Sequence, residues 1–179
     1  MALLSVAVSA GFKPAYLELA PKFASRNGID LQTSLVPSTQ LADHLKTHPQ
    51  TDAVIAAKIA VIALAGQAVL ASDSIVDLAS TGIGAAVRSG WARPDMTSKA
   101  SLREALLAAN SIGCSTGPSG DHLLRLFEEL EVASVLAPKL IKTTNSVADL
   151  LLQGRIELGF QQISELRSIG GIEYVGSLQ

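Results

Sequence analysis

The chain has 179 residues, of which 48% are apolar, so it can bury a substantial core in one domain or two small lobes. Its net charge is −2 and it has no run of Lys and Arg, which argues against a nucleic-acid partner. The single cysteine, Cys114, excludes an internal disulfide, and the three histidines (His44, His48, His122) lack the spacing of a zinc site, so we expect no metal.

The first third of the chain alternates strand-like and helix-like segments. Leu3–Val8 is a short apolar run that predicts a strand, and residues 14–25 have apolar side chains at helical spacing, in a helix that Pro21 shortens or kinks. The following segments predict a half-buried strand, a helix and a buried strand, in the order "GIDLQTSLV", "PSTQLADHLKTH" and "TDAVIAA". This βαβα order is typical of a parallel sheet covered on both faces.

The most apolar segment, Ala53–Ala71, is long enough to raise the question of a membrane span. Lys58 and Gln67 interrupt it, and its alanines make it only weakly hydrophobic. We therefore favour a buried strand, Ala53–Ala57, followed by a helix that packs on a sheet, and we expect no membrane insertion.

The N-terminus, "MALLSVAVSAGFK", is apolar but has no positively charged leading region. A secretory signal would carry such a region, so we expect a cytoplasmic protein. A mature form that begins with a new Met would look the same, and that protein would be periplasmic.

The composition changes at the start of the second half of the chain. Val76–Arg88 is glycine-rich and extended, and predicts a strand that crosses from one lobe to another. A helix capped by Thr97 or Ser98 and a strand at Ser111–Cys114 follow. A second alternation then comprises a helix at 119–130, a strand at 139–142, the helix "NSVADLLLQG" closed by Gly154, and the strands "IELGFQQ" and "GGIEYVGSL".

We expect an α/β protein with two lobes, each a mainly parallel sheet flanked by helices, joined by crossing strands. Residues 1–80 and 172–179 form the first lobe in this interpretation, and residues 81–171 form the second. In such folds the ligand binds in the crevice outside the strand ends.

Three loops between a predicted strand and a predicted helix share one design. They are "VSAGFK" (8–13, with Lys13), "VPSTQL" (36–41) and "GCSTGPSGDH" (113–122, with Ser115). Small hydroxyl residues and glycines let side-chain O–H and backbone N–H groups converge on an anion at a helix start. Helix capping alone is the simpler explanation of any single loop, but the recurrence of three such loops shifts the balance towards an anion site.

Nucleotide cofactors are disfavoured by the same loops. In "GPSGDH", Gly117 and Gly120 lack the Lys and the Ser or Thr that complete a phosphate-binding loop. No dinucleotide fingerprint follows the first strand either, so we expect no cofactor.

Several segments together resemble the type II periplasmic-binding-protein superfamily. They run from "VAVSAGFKPAYLELAPKF" and "VPSTQLADHL" through "STGIGAAVRSG" and "SGDHLLRLFEELEV" to "VADLLLQGRIELGFQQISEL" and "GIEYVGSL". Within it, the chain is similar to the molybdate-binding-protein-like branch, which includes aconitate isomerase-like enzymes. The resemblance covers nearly the whole chain and implies a two-lobed clamp around a small oxyanion or carboxylate.

The resemblance also implies a set of ligand contacts. They lie in the loops and at strand ends, at Ser9, Gly11, Ser38, Thr39, Ala57, Ser119, Gly120, Gln161 and Gln162. The chain departs from the family because it stops just after the strand expected to return to the first lobe, without the usual closing helices. A homodimer could cover the surface that this leaves exposed.

Two functions of different classes fit these residues. A solute-binding protein would hold an oxyanion such as molybdate or sulfate on neutral donors and deliver it to an ABC transporter. An isomerase would hold the carboxylates of an acid such as aconitate while a base shifts an allylic proton. We lean towards a carboxylate ligand, with Lys58 and His122 as the catalytic candidates and Lys13 and Glu165 as further candidate bases.

Each of these residues also has a simpler explanation. Lys58 follows an apolar strand, where partial desolvation would lower its pKa, but lysine stems also extend readily to solvent. His122 fits a solvated helix face. Of the adjacent Gln161 and Gln162, only one can face a ligand, and a polar strand end at the surface fits them equally well. Cys114 is expected to be a small buried hydrophobe.

Overall fold

The computed structural model describes residues 2–178, and the chain divides into two compact units, one up to Ser80 and one from Thr81 onward. The first unit contains a three-stranded parallel sheet with the order β2-β1-β3. Its strands are β1 (Ala2–Val8), β2 (Ile29–Leu35) and β3 (Ala53–Ile55), and its helices are α1 (Lys13–Asn27), α2 (Leu41–Thr47) and α3 (Lys58–Gly66).

The core of the first unit is small because the sheet has only three strands. Val6 and Val8 of β1 pack against Tyr16 of α1 on one face. Ala7, which points the other way as strand alternation requires, packs with Leu41 and other residues of α2 and α3. The βαβα prediction for this part of the chain is confirmed element by element.

Pro21 lies inside α1 and does not shorten the helix, which continues to Asn27. A proline removes the N–H that would bond to the carbonyl of the residue four positions earlier, here Leu17. Both residues lie on the exposed side of the helix, where water can satisfy that carbonyl. The interruption therefore costs less than it would in a buried helix.

The second unit contains a five-stranded mixed sheet with the order β6-β5-β7-β4-β8. Strands β5, β6 and β7 are parallel, whereas β4 runs antiparallel to both of its neighbours. The strands are β4 (Ile83–Arg88), β5 (Ile112–Ser115), β6 (Leu140–Thr143), β7 (Leu158–Gln162) and β8 (Ile172–Ser177). The helices are α4 (Lys99–Ala108), α5 (Pro118–Glu129), α6 (Ala133–Leu136), α7 (Val147–Leu152) and α8 (Ile163–Leu166).

Helices cover both faces of this sheet. Phe160 of β7 meets Phe127 of α5 edge to face, with ring centroids 6.3 Å apart, in the larger hydrophobic cluster. The opposite face carries a smaller cluster that includes Leu151 and Leu166. Gly159 of β7 faces α7 there, and a β-carbon at this position would meet the side chains of Val147 and Leu151. This glycine lets the helix lie close to the sheet.

The start of α4 is fixed by a capping box, as predicted for Thr97 or Ser98. The Ser98 hydroxyl accepts the N–H of Ser101 at 3.1 Å, and the Ser101 hydroxyl accepts the N–H of Ser98 at 3.0 Å. Two N–H groups at the helix start, which have no partner within the helix, are satisfied in this way. Gly154, with φ of +69°, follows the end of α7 as expected.

Two expectations about the connection between the lobes differ from the structure. Within Val76–Arg88, only Ile83–Arg88 forms a strand, and it pairs with β7 and β8. Residues 172–177, expected to return to the first lobe, form β8 beside β4 and so belong to the second unit. Alternating apolar residues predict a strand but do not identify its partner, which explains both differences.

Candidate functional site

The loops that follow β1, β2 and β3 lie at one edge of the sheet of the first unit. Because β1, β2 and β3 are parallel, their carboxyl ends lie on the same side. Backbone hydrogen bonds tie these ends together: the N–H of Ser9 donates to the carbonyl of Ile55 at 2.8 Å, and that of Val36 donates to the carbonyl of Val8 at 2.9 Å. The sequence-predicted residues Ser9, Gly11, Ser38, Thr39 and Ala57 all follow these strand ends.

The hydroxyl groups of these loops do not act as helix caps. Ser9 precedes a 3₁₀ turn and makes no side-chain capping bond in the described chain, and Ser38 begins a turn whose N-cap is Pro37. The N-cap of α3 is Ala57, which has no polar side chain. Ser98 shows what a capping serine looks like in the same protein. The loops at the sheet edge therefore keep hydroxyl and N–H donors that capping would otherwise use.

The two lysines named as candidates, Lys13 and Lys58, lie in surroundings that differ from those of a desolvated base. Lys58 donates to Asp77 Oδ2 at 2.7 Å, and its side chain is 63% exposed. Of the two interpretations of Lys58, the structure agrees with the one in which the lysine extends to solvent: the side chain pairs with a carboxylate, and α3 begins at the surface. Lys13 is the first residue of α1 and is also exposed.

A groove of about 470 Å³ lies beside α2 in the first unit, lined by Leu35, Val36, Pro37, Gln40, Asp43, His44 and Thr47. His44 stacks on His48 with ring centroids 4.1 Å apart. Partial burial, followed by the charge of His48, lowers the pKa of His44. The groove borders the end of β2 and also contains the carboxylate of Asp43, which would repel an anion bound beside it.

In the second unit, the start of α5 lies close to the end of β5. The hydroxyls of Ser115 and Ser119 lie 2.8 Å apart, and Gly117 has a φ of +101°, which favours glycine. A β-carbon on Gly120 would overlap the carbonyl oxygen of Ser115. Glycine at position 120 is therefore what allows the two serines to face each other.

A further loop at this edge was missed by the sequence analysis. This loop runs from the last residue of β6, Thr143, to Ser146. The N–H of Thr116 donates to the carbonyl of Thr143 at 2.8 Å. The Thr143 hydroxyl accepts the N–H of Asn145 at 3.0 Å, and Ser146 is the N-cap of α7. The stretch "TTNS" between a predicted strand and helix has the composition of the other three loops and could have been recognised on that ground.

Gln161 and Gln162 are adjacent on β7 and so point to opposite faces, as expected, and the buried one, Gln161, is hydrogen-bonded within the protein. Gln161 is 5% exposed; its Oε1 accepts the N–H of Val147 at 2.9 Å and its Nε2 donates to Glu165 Oε2 at 2.6 Å. The amide group thus serves the protein itself on both sides. Gln162 is half-buried at the end of β7 and precedes α8.

The remaining candidates have simple surroundings. His122 is exposed on α5. Cys114 is 1% exposed, and burial raises the pKa of its thiol, an effect only partly offset by the charge of Lys142. A raised pKa disfavours the reactive thiolate, which agrees with a structural role. Among residues 2–178, no group of three or more His, Cys, Asp or Glu side chains could hold a metal ion.

Comparisons with known proteins identify the family to which this fold and these loops belong. Bacterial extracellular solute-binding proteins match this chain over residues 4–178. An aconitate isomerase from Pseudomonas sp is 31% identical over 180 residues, which span 97% of this chain and 69% of that enzyme.

Solved structures share the fold at low sequence identity. The sulfate-binding protein SubI from Mycobacterium tuberculosis H37Rv superposes with a TM-score of 0.74 at 14% identity, covering 99% of this chain and 71% of that one. The periplasmic molybdate-binding protein of Azotobacter vinelandii gives a TM-score of 0.65 at 18% identity, covering 89% and 71%. The expected type II periplasmic-binding-protein fold is thereby confirmed. The chain belongs to the bacterial extracellular solute-binding protein family.

Proposed function

We propose that the chain binds a small anion through hydroxyl and backbone N–H donors that follow the carboxyl ends of its parallel strands. The observation that carries the proposal is that Ser9, Ser38 and Ser119 follow parallel strands at helix starts without capping those helices in the described chain. Neutral donors of this kind stabilise a negative charge without adding a titratable group. The extracellular family supports a periplasmic protein.

A tricarboxylate such as aconitate is the ligand we favour. The aconitate isomerase from Pseudomonas sp is 31% identical to the chain, whereas the anion-binding proteins of solved structure are 14% and 18% identical. An oxyanion such as molybdate or sulfate, delivered to an ABC transporter, is the alternative ligand class. The amide of Gln161 gives no preference between these two classes of ligand, because both of its polar atoms are bonded within the protein.

Replacing Ser9 or Ser119 by alanine is expected to weaken anion binding by about 10- to 100-fold. A hydrogen bond to a charged group contributes about 1.5–3 kcal/mol, and tenfold in affinity corresponds to about 1.4 kcal/mol. Isothermal titration calorimetry with cis-aconitate, molybdate and sulfate measures the change. The two serines are tested separately because each belongs to its own unit.

Ser98→Ala is the matched control for both substitutions. It removes a capping hydroxyl and is expected to lower stability by about 1 kcal/mol while leaving the anion affinity unchanged. Wild-type affinity in both Ser9→Ala and Ser119→Ala would contradict the proposed site.

Isomerase activity is the second candidate function, favoured by the similarity to aconitate isomerase. A base would remove a proton from the methylene carbon of cis-aconitate, the double bond would shift, and a proton would return to the former alkene carbon. Donors at the strand ends would stabilise the dienolate formed on the way. Lys58 and His122 remain our proposed bases, although both side chains are exposed.

Proton NMR of the protein with cis- or trans-aconitate in D₂O tests this activity. We expect the other isomer to appear with deuterium at its methylene carbon. Loss of a positioned base typically slows proton transfer by about 10²–10⁴-fold, so Lys58→Ala and His122→Ala identify the base by a fall of that size. Binding of aconitate without conversion to the other isomer would instead indicate a solute-binding protein.

A further inference from the structure

The outer side of α3 is apolar, whereas the outer side of a surface helix is normally polar. The nine residues of this helix, "KIAVIALAG", include no charged residue after Lys58. Leu64 packs in the core of the first unit, but Ile59 and Ile62 are 69% and 52% exposed, and Ala63 is exposed as well. The spacing of these three exposed residues places them in one stripe along the helix. A helix that is apolar on all sides is normally buried on all sides, so α3 is suited to a cover that the described part of this single chain does not supply.

A second segment of the first unit extends this apolar surface. Val76 and Leu78 are 72% and 57% exposed. Asp77, which lies between them, accepts a hydrogen bond from Lys58 Nζ at 2.7 Å, so the segment is tied to the start of α3 beside Ile59. A contiguous apolar surface marks an interaction site, unlike single exposed apolar side chains, which are common. We call this surface the α3 patch, and its residues are Ile59, Ile62, Ala63, Val76 and Leu78.

The extent and the charge of the α3 patch suit a second copy of the chain. Leu64 is the only buried residue among residues 58–78, so twenty residues of this segment are at least partly exposed, and a stable interface uses about 20–30 residues on each side. A two-fold axis brings a surface against a copy of itself, so an unpaired charge there would meet the same charge. Lys58 and Asp77 neutralise each other, and Asp73, in the turn at 72–74, is the only other charged residue of this segment.

Helix α1, on the opposite face of the same sheet, has a different surface. It also exposes apolar side chains, among them Leu19 and Phe23. Charged residues lie between these side chains in the sequence, however, and Glu18 and Lys22 form an ion pair at 2.8 Å. Such a mixture of apolar and charged side chains is typical of a helix that faces water. The two helices therefore provide a matched comparison within one unit.

We propose that the chain forms a two-fold symmetric homodimer through the α3 patch. The α3 helices of the two copies pack side by side, and the side chains of Ile59 and Ile62 leave water, which drives the association. Ala63 lets the two helices approach closely because the distance between packed helices depends on the size of the side chains at the contact. Val76 and Leu78 extend the buried surface beyond the helices. The dimer does not depend on the identity of the bound anion.

Sedimentation velocity over a range of protein concentrations measures the dissociation constant of the dimer. Ile62→Glu is expected to raise this constant by about 10²–10³-fold, because each copy brings one carboxylate into the apolar interface. Val76→Asp tests the second segment of the patch and should also raise it, by about tenfold or more. Leu19→Glu is the matched control: this side chain is 53% exposed on the other face of the sheet, so the same new charge should leave the constant unchanged. All three positions are exposed in the single chain, so circular dichroism of each variant should match that of wild type.

A dimer that Ile62→Glu and Val76→Asp dissociate, and that Leu19→Glu leaves intact, would support the proposed interface. Wild-type protein that stays monomeric at every concentration would overturn it and leave the α3 patch to a partner of another kind. Oligomers that grow beyond the dimer would overturn it as well, because a two-fold interface closes on itself. A dimer that Ile62→Glu leaves unchanged would show that the two copies meet elsewhere.

Discussion

Replacing Phe160 by alanine is expected to lower the free energy of unfolding of the second unit by about 3–5 kcal/mol. The ring is 1% exposed and packs edge to face on Phe127, which is equally buried. Its removal loses the transfer free energy of the side chain and leaves a cavity in the middle of the sheet, where the backbone cannot collapse to fill it. Globular domains are stable by only about 5–15 kcal/mol, so this change removes much of the margin.

Urea denaturation followed by tryptophan fluorescence measures this effect in the right unit, because the only tryptophan of the sequence, Trp91, lies there. Val135→Ala is the control in the same unit. This side chain lies on α6 and is 54% exposed, so its loss should change stability by less than about 1 kcal/mol. If Phe160→Ala changed the free energy of unfolding by less than about 1 kcal/mol, Phe160 and Phe127 would not form the core described here.

Gly120→Ala is expected to destabilise the second unit by about 1–3 kcal/mol and to abolish measurable anion binding. The new methyl group would overlap the carbonyl oxygen of Ser115, a backbone atom that cannot rotate away. Either α5 or the end of β5 must move, and the 2.8 Å contact between the Ser115 and Ser119 hydroxyls would open. Small misplacements of positioning groups are costly, so affinity should fall further than stability.

Gly66→Ala controls for the substitution itself. Gly66 is the last residue of α3, and nothing lies within 4 Å of a β-carbon placed there. Alanine is the better helix former by about 1 kcal/mol, so this variant should be as stable as wild type or slightly more so. If Gly120→Ala bound cis-aconitate with wild-type affinity, the start of α5 would not belong to the anion site.

The order of elements could be predicted from the sequence because it depends on local patterns. Short apolar runs and one alternating segment identified the strands of the first unit, and Thr97 or Ser98 was predicted as a cap from its place before a helical pattern. The "TTNS" stretch at Thr143–Ser146 carried the same kind of signal as the three loops that were recognised. Local composition was thus sufficient for the elements and most of the loops.

Features that depend on distant partners could not be predicted in this way. Strand alternation at 172–177 gave a strand, but its place beside β4 depends on residues far away in the sequence. Partial desolvation of Lys58 was one of two interpretations because its neighbours in sequence are apolar, whereas its partner Asp77 lies 19 residues later. Gln161 was named as a ligand contact because of the family resemblance, and only the structure shows the Val147 N–H and Glu165 beside it.

The position of β4 between two strands that come later in the chain determines the order in which the two units can fold. Both neighbours of β4 come later in the chain, and Gly90 and Glu173, which join the β4 and β8 ends, are 83 residues apart. Pairing over such separations is slow because a long loop must close first. The first unit has all its strands within residues 2–55. During synthesis the first unit can therefore fold before β7 and β8 have been made. Until β8 emerges from the ribosome, β4 lacks a strand partner and its edges are exposed to aggregation.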